Sequence, residues 1–119
     1  MRRESANFDL EERTAKFGED VLKFLKEIKI TLKNQSIVQQ LIKSATSIGA
    51  NYMEASGAES KKDLKHKISI CKKETRETKH WLRMIAILHS DRKAPIKILW
   101  QEAHELTLIF CKIIRTCKN

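Results

Sequence analysis

The sequence predicts an all-α protein, an up-down-up-down antiparallel four-helix bundle. Two observations carry that expectation. Helix breakers are nearly absent, since Gly18, Gly49, Gly57 and Pro95 are the only glycines and proline in 119 residues, and so few breakers leave long helices joined by short turns. Between them, apolar residues recur at three- and four-residue intervals, the period of one helix face. Length adds a bound: residues 1–119 suffice for one domain with a continuous core and not for two.

The first helix is expected over residues 9–32. Phe17, Val21, Phe24, Leu25, Ile28 and Leu32 form its apolar stripe, Asp9 is its candidate cap, and Glu11 and Glu12 face the positive end of the helix dipole. Lys33, Asn34 and Gln35 read as the turn, with Ser36 capping the next helix. That second helix, residues 36–56, buries Ile37, Leu41, Ala45, Ile48 and Tyr52 along one edge and Val38, Ile42 and Met53 along the other. Gly49 lies inside it at a cost of about 1 kcal/mol relative to alanine, and its place beside Ala45 points to a close helix approach. Gly57 is placed for the left-handed conformation that ends a helix.

The third helix, residues 61–89, starts from Ser60 as N-cap, with Asp63 completing a capping box. Leu64, Ile68, Cys71, Thr75, Thr78, Leu82 and Ile85 alternate by four and three as a seam. At 1.5 Å per residue this helix is about 43 Å long. Residues 90–93 form the third turn, and Pro95 falls in the first turn of the fourth helix, residues 95–117, where its missing N–H costs nothing. Ile96, Leu99, Ala103, Leu106, Phe110 and Ile113 form the fourth stripe. Ile98, Trp100, Leu108, Ile109 and Ile114 spill beyond it, as Ile30 does on the first helix. Either they widen the core stripe or, the preferred reading, Ile98, Trp100, Leu108 and Ile109 meet a second copy in a homo-oligomer.

Composition narrows the function classes. Lys and Arg number 24 against 15 Asp and Glu, for a net charge of +9 and a pI near 9.6. Such a charge favours anionic partners, though it also serves solubility. No apolar run approaches the roughly 18 residues of a membrane span. Cys71, Cys111 and Cys117 are odd in number and form no CxxC or Cys/His cluster, which fits reduced thiols in a cytoplasmic protein. The N-terminal residues lack the apolar stretch of a signal peptide.

Catalytic patterns are weak. There is no phosphate-cradling glycine loop. Cys71 lies on the buried seam, where a thiol is inert. A di-metal bundle site needs two Glu-x-x-His motifs; Glu77 to His80 supplies one, but Gln101 stands three residues before His104. No metal, cofactor or catalytic residue is expected. Asn51, Glu54 and Glu74 stand at the edges of apolar stripes and read as polar residues fixing helix register, with Lys43, Lys73 and Arg76 as potential partners.

The strongest functional signal lies between Lys61 and Arg83, where nine Lys or Arg meet three acidic residues, a net of +6. Lys65, Lys72, Arg76, Lys79 and Arg83 follow a helical stripe, which Lys61, Lys62 and Lys73 widen. His66 and His80 add charge when protonated. Such a stripe tracks a phosphate backbone without reading bases. Trp81 sits beside the seam, so base stacking is not strongly suggested. Glu74 and Glu77 are spaced to pair with Lys73 and Arg76, which keeps a merely solvated face open. The near-balanced first helix argues against that alternative.

These residues also carry a resemblance. Lys43-Ser44-Ala45-Thr46-Ser47-Ile48-Gly49-Ala50-Asn51-Tyr52, then Glu54-Ala55 and Glu59-Ser60-Lys61-Lys62-Asp63-Leu64, resemble the signature of a small bacterial four-helix bundle family, the S23 ribosomal or 23S rRNA intervening-sequence proteins. Lys67-Ile68-Ser69-Ile70, Lys73-Glu74, Glu77-Thr78 and Trp81-Leu82 are similar to its third helix. The resemblance implies a homopentameric ring. It extends to the accessory protein of diversity-generating retroelements, which works with a reverse transcriptase and nucleic acid. Asn51, Glu54 and Glu74 match the family's polar positions and carry no assigned catalysis. Ser56-Gly57-Ala58 departs from the basic residue many members place there. The expectation is therefore a non-enzymatic oligomer binding structured RNA or DNA through the third helix, with a protein-interaction scaffold as the alternative.

Overall fold

Helices α1 (Arg2–Lys26), α2 (Gln35–Ser56), α3 (Lys61–Leu88) and α4 (Lys93–Thr116), with a 3-10 turn at Ser90–Arg92, build an antiparallel four-helix bundle 45 Å long and 25 × 19 Å across. The computed structural model describes residues 2–117, with side chains described from Leu10 onward. At about 42 Å, α3 spans nearly the whole long dimension. It packs against α2 on one side and α4 on the other, while α1 lies on α2 and touches α4 lightly.

The seam of α3 folds as its spacing predicts, with Ile68, Cys71, Thr75, Thr78, Leu82 and Ile85 buried. Phe17, Val21, Leu41, Ile48, Leu106 and Phe110 close around it. Two hydroxyl bridges cross the core. Thr78 Oγ1 donates to Ser44 Oγ at 2.9 Å, joining α3 to α2. Thr107 Oγ1 donates to Thr75 Oγ1 at 2.9 Å, joining α4 to α3. Each buried hydroxyl also lies near a carbonyl of its own helix, so burial leaves none of them unpaired. Where α1 and α4 barely meet, the Arg13 guanidinium holds Glu102 through two bonds of 2.7 and 2.9 Å and Glu105 through a third of 2.9 Å. That fork geometry suits a carboxylate better than a lysine would.

Several boundaries differ from those read in the sequence. Helix α1 begins at Arg2, which places Asp9 inside the helix rather than at its cap. It also ends at Lys26 and not at residue 32, because Asn34 captures the following chain. Its Oδ1 accepts the Thr31 N–H at 2.8 Å, its Nδ2 donates to the Lys29 carbonyl at 2.9 Å, and its own N–H donates to Thr31 Oγ1 at 3.3 Å. Such side-chain bonds compete directly with helix continuation. Leu32 is consequently 96% exposed, while Ile28 remains in the core. Asn34, rather than Ser36, precedes α2, and its side chain caps nothing there. Its Nδ2 also reaches His89 Nε2 at 3.0 Å, pinning the α1–α2 connection to the exit of α3. Arg92 pairs with Glu27 across the same end.

Other expectations change in detail. Gly57 ends α2 at φ −102°, outside the left-handed region, with its N–H on the Glu54 carbonyl. Ile42 and Met53 face solvent rather than the core, because the buried face of α2 is narrower than two edges. On α4, Trp100, Ile109 and Ile114 pack against the core, whereas Ile98 and Leu108 are exposed. Gly49 does serve a close approach: a Cβ there would sit 3.4 Å from the Thr14 carbonyl carbon and 3.5 Å from the Ala15 nitrogen of α1.

A methyl fits at that contact and a branched side chain does not. Gly49→Ala should leave stability unchanged or raise it by up to about 1 kcal/mol through helix propensity. Gly49→Val should lower it by about 1–3 kcal/mol by pushing α1 off α2. Urea midpoints of the two variants check this pair of opposite outcomes.

Candidate nucleic-acid interface

Ser60 enters α3 in an extended conformation and its hydroxyl accepts the Asp63 N–H at 3.0 Å. From this cap the helix is unbroken to Leu88, and the buried seam fixes which face turns to water. Lys61, Lys62, Lys65, Lys73, Arg76 and Arg83 are exposed, and Lys72 and Lys79 are half-buried. Among the described residues none of these eight forms an ion pair. Glu74 and Glu77 do not close on Lys73 or Arg76 despite their spacing. The remaining cation of the stretch, Lys67, donates to Glu54 at 2.8 Å, and that partner raises its pKa above the ordinary lysine value.

Lys79 differs from the rest. Its Nζ donates to His104 Nδ1 at 3.2 Å and lies 5.3 Å from the centre of the Trp100 ring, which stacks on His104 with planes 12° apart. An ammonium can only donate, so His104 accepts at Nδ1. Cation–π attraction draws the charge toward α4 and away from the outermost line of α3.

Two hollows follow the exposed face. One of about 690 Å³ is lined by Lys61, Lys62, Lys65, His66 and Ser69 together with Cys117, just beyond α4. The other, of about 520 Å³, is lined by Ser69, Lys72, Lys73, Arg76, Glu77, His80 and Trp81 with Gln40 of α2. Ser69 borders both, so the two hollows adjoin along α3. Arg83 borders a smaller hollow with Lys93, Lys97 and Trp100.

Asn51, Glu54 and Glu74 are not brought together. Asn51 Nδ2 donates to the Ser47 carbonyl of its own helix at 2.8 Å, and Glu54 takes Lys67. Glu74 is half-buried, with no ion pair among the described residues. Burial, and then the neighbouring Glu77, push its carboxyl above the ordinary range, while Lys73 and Lys43 pull it back. Burial raises the Cys71 thiol to about 12, with its Sγ 3.7 Å from the Ile48 carbonyl. Among the described residues no group of three or more His, Cys, Asp and Glu is placed to hold a metal ion, and no helix is long and apolar enough to cross a membrane.

Sequence reasoning missed Gln40 and Cys117 as parts of this surface, because Gln40 arrives from α2 and Cys117 from just beyond α4. A signal for Gln40 exists in the antiparallel register. Ser44 meets Thr78 and the Ile48 carbonyl meets Cys71, which places Gln40 opposite residues 80 and 81.

Residues 6–110 match the family model described as 23S rRNA-intervening sequence protein. Among solved structures, the chain is similar to a protein of unknown function from the S23 ribosomal protein family of Bacteroides thetaiotaomicron VPI-5482. That likeness has a TM-score of 0.79 at 25% identity, covering 90% of this chain and 99% of the other. No curated protein matches the chain.

Two outcomes follow from the titrating groups. Iodoacetamide at mildly alkaline pH should modify Cys111 and Cys117 in the native protein and spare Cys71 until denaturant is added, as read by mass spectrometry. A carboxyl whose folded pKa is raised contributes stability at low pH that is lost as pH rises through that value. Glu74→Gln should therefore be more stable than the parent at neutral pH, with the difference vanishing in acid. Thermal melts across pH measure it.

Proposed function

The chain belongs to the 23S rRNA-intervening sequence protein family, and from that premise we propose that it is a non-enzymatic, oligomeric protein that binds structured RNA or DNA through the basic face of α3. The observation that carries this reading is the exposed row Lys61, Lys62, Lys65, Lys73, Arg76 and Arg83, which has no carboxylate partner among the described residues. Cations already paired gain little from a phosphate, whereas free ones release the counterions condensed on a nucleic acid. From Lys61 to Arg83 the helix rises about 33 Å, close to the length of one duplex turn, about 34 Å. The row thus spans enough backbone for several simultaneous phosphate contacts.

The proposed setting is the cytoplasm, where the free thiols of Cys71, Cys111 and Cys117 stay reduced. The proposed assembly is a homopentamer, with Ile98 and Leu108 among its contacts, acting as an accessory to a nucleoprotein complex that contains an enzyme such as a reverse transcriptase. A scaffold without direct nucleic-acid binding is the second reading. It is favoured by the exposure of Ile98 (71%) and Leu108 (55%), which offer apolar area to a protein partner.

The test is binding of the purified chain to an RNA hairpin and to duplex DNA across a salt series, with oligomer mass recorded by light scattering. Affinity should fall steeply with salt. Neutralising Lys65, Lys72, Arg76 and Arg83 to glutamine should flatten the log–log slope by about 0.9 per lost duplex phosphate contact, with helicity and mass unchanged. An intact oligomer that binds neither ligand at low salt would exclude this reading and leave the scaffold.

A further inference from the structure

We propose that the hollow midway along α3 holds one unpaired nucleotide, with its base against Trp81 and His80 and its phosphate on Lys72, Lys73 and Arg76. The inference rests on the basic-face reading and deepens it by naming single-stranded nucleic acid as the form bound at this point. A phosphate track alone needs no concavity and no aromatic wall, and this segment has both. The hollow of about 520 Å³ lies within the range of small-ligand sites, about 300–1,000 Å³.

Trp81 is half-buried, with one flank packed on the core and the His80 ring edge-on at 4.8 Å. An indole held in this way loses little freedom when a base stacks on its open part. Cations and aromatics occupy successive positions along the helix. Arg76 precedes His80 by one turn, a rise of about 6 Å, so a phosphate and its own base can meet them together. Glu77 and Gln40 line the same hollow. A carboxylate repels phosphate and accepts from an exocyclic amine, which directs the base rather than the backbone to the Glu77 side and favours cytosine or adenine over uracil. In a duplex the base faces are covered by their neighbours and cannot reach Trp81. Combining a positive groove with an aromatic platform is the way single strands are bound without strict sequence readout.

The experiment compares a short oligocytidylate with a duplex of similar length on the full chain, reading affinity and tryptophan fluorescence. The oligocytidylate should quench the parent protein, and Trp81→Phe should lose most of the quenching while keeping most of the affinity. Trp81→Leu and His80→Ala should each weaken oligocytidylate binding by about tenfold, far more than they weaken duplex binding. Helicity of each variant confirms folding, and the phenylalanine variant carries the test if the leucine variant is unstable. Binding without quenching, or equal losses for oligocytidylate and duplex, would overturn the nucleotide site while leaving the basic face intact. Absence of binding to either ligand would overturn both.

Discussion

Two buried hydroxyl pairs, Thr78 with Ser44 and Thr107 with Thr75, hold α3 between its neighbours, and the outer surface depends on them. An apolar seam alone permits helices to slide by a turn at modest loss, because one aliphatic contact replaces another. A hydroxyl bridge in the core does not, since a slip would carry each oxygen away from its partner and leave it in apolar surroundings. Register is thereby set on both sides of α3. The same register brings Gln40 to the hollow beside Trp81 and sets Lys79 against His104.

The connections at one end reinforce this arrangement from outside the core. Asn34 ties the α1–α2 segment to His89, and Arg92 joins the α3–α4 turn to Glu27 while its guanidinium lies 5.6 Å from the Phe24 ring. Helix α1 has little packing against α4, and the Arg13 fork to Glu102 and Glu105 supplies the polar closure there. The small residues Gly18 and Gly49 let α1 settle on α2 instead. The bundle is thus a three-helix slab with α3 at its centre and α1 seated on the α2 side.

Helix α3 was legible in the sequence because every local signal agreed: an N-cap serine, a seam at steps of four and three, and no breaker before residue 89. Helix α1 was less so. The apolar stripe continues through Ile28 and Leu32, but Asn34 ends the helix through bonds that periodicity does not encode. On the surface, the row of cations could be read from spacing, whereas their pairing could not. Glu54 lies 13 residues from Lys67, and His104 lies 25 residues from Lys79. These partners meet only through tertiary packing, while Glu74 and Glu77, well spaced on paper, form no ion pair among the described residues.

The row of cations without a carboxylate partner among the described residues has a consequence for the fold as well as for any ligand. Lys61 and Lys65, Lys72 and Arg76, and Lys79 and Arg83 stand four residues apart, a spacing at which like charges destabilise a helix by about 0.2–0.5 kcal/mol per pair. Seam burial on the adjoining face offsets this strain, and counterions relieve it. Salt therefore acts on the molecule with two signs, steadying the helix while competing for its surface. A polyanion seated along α3 would replace those counterions with fixed charge, and by mass-action linkage it would stabilise the bundle that binds it.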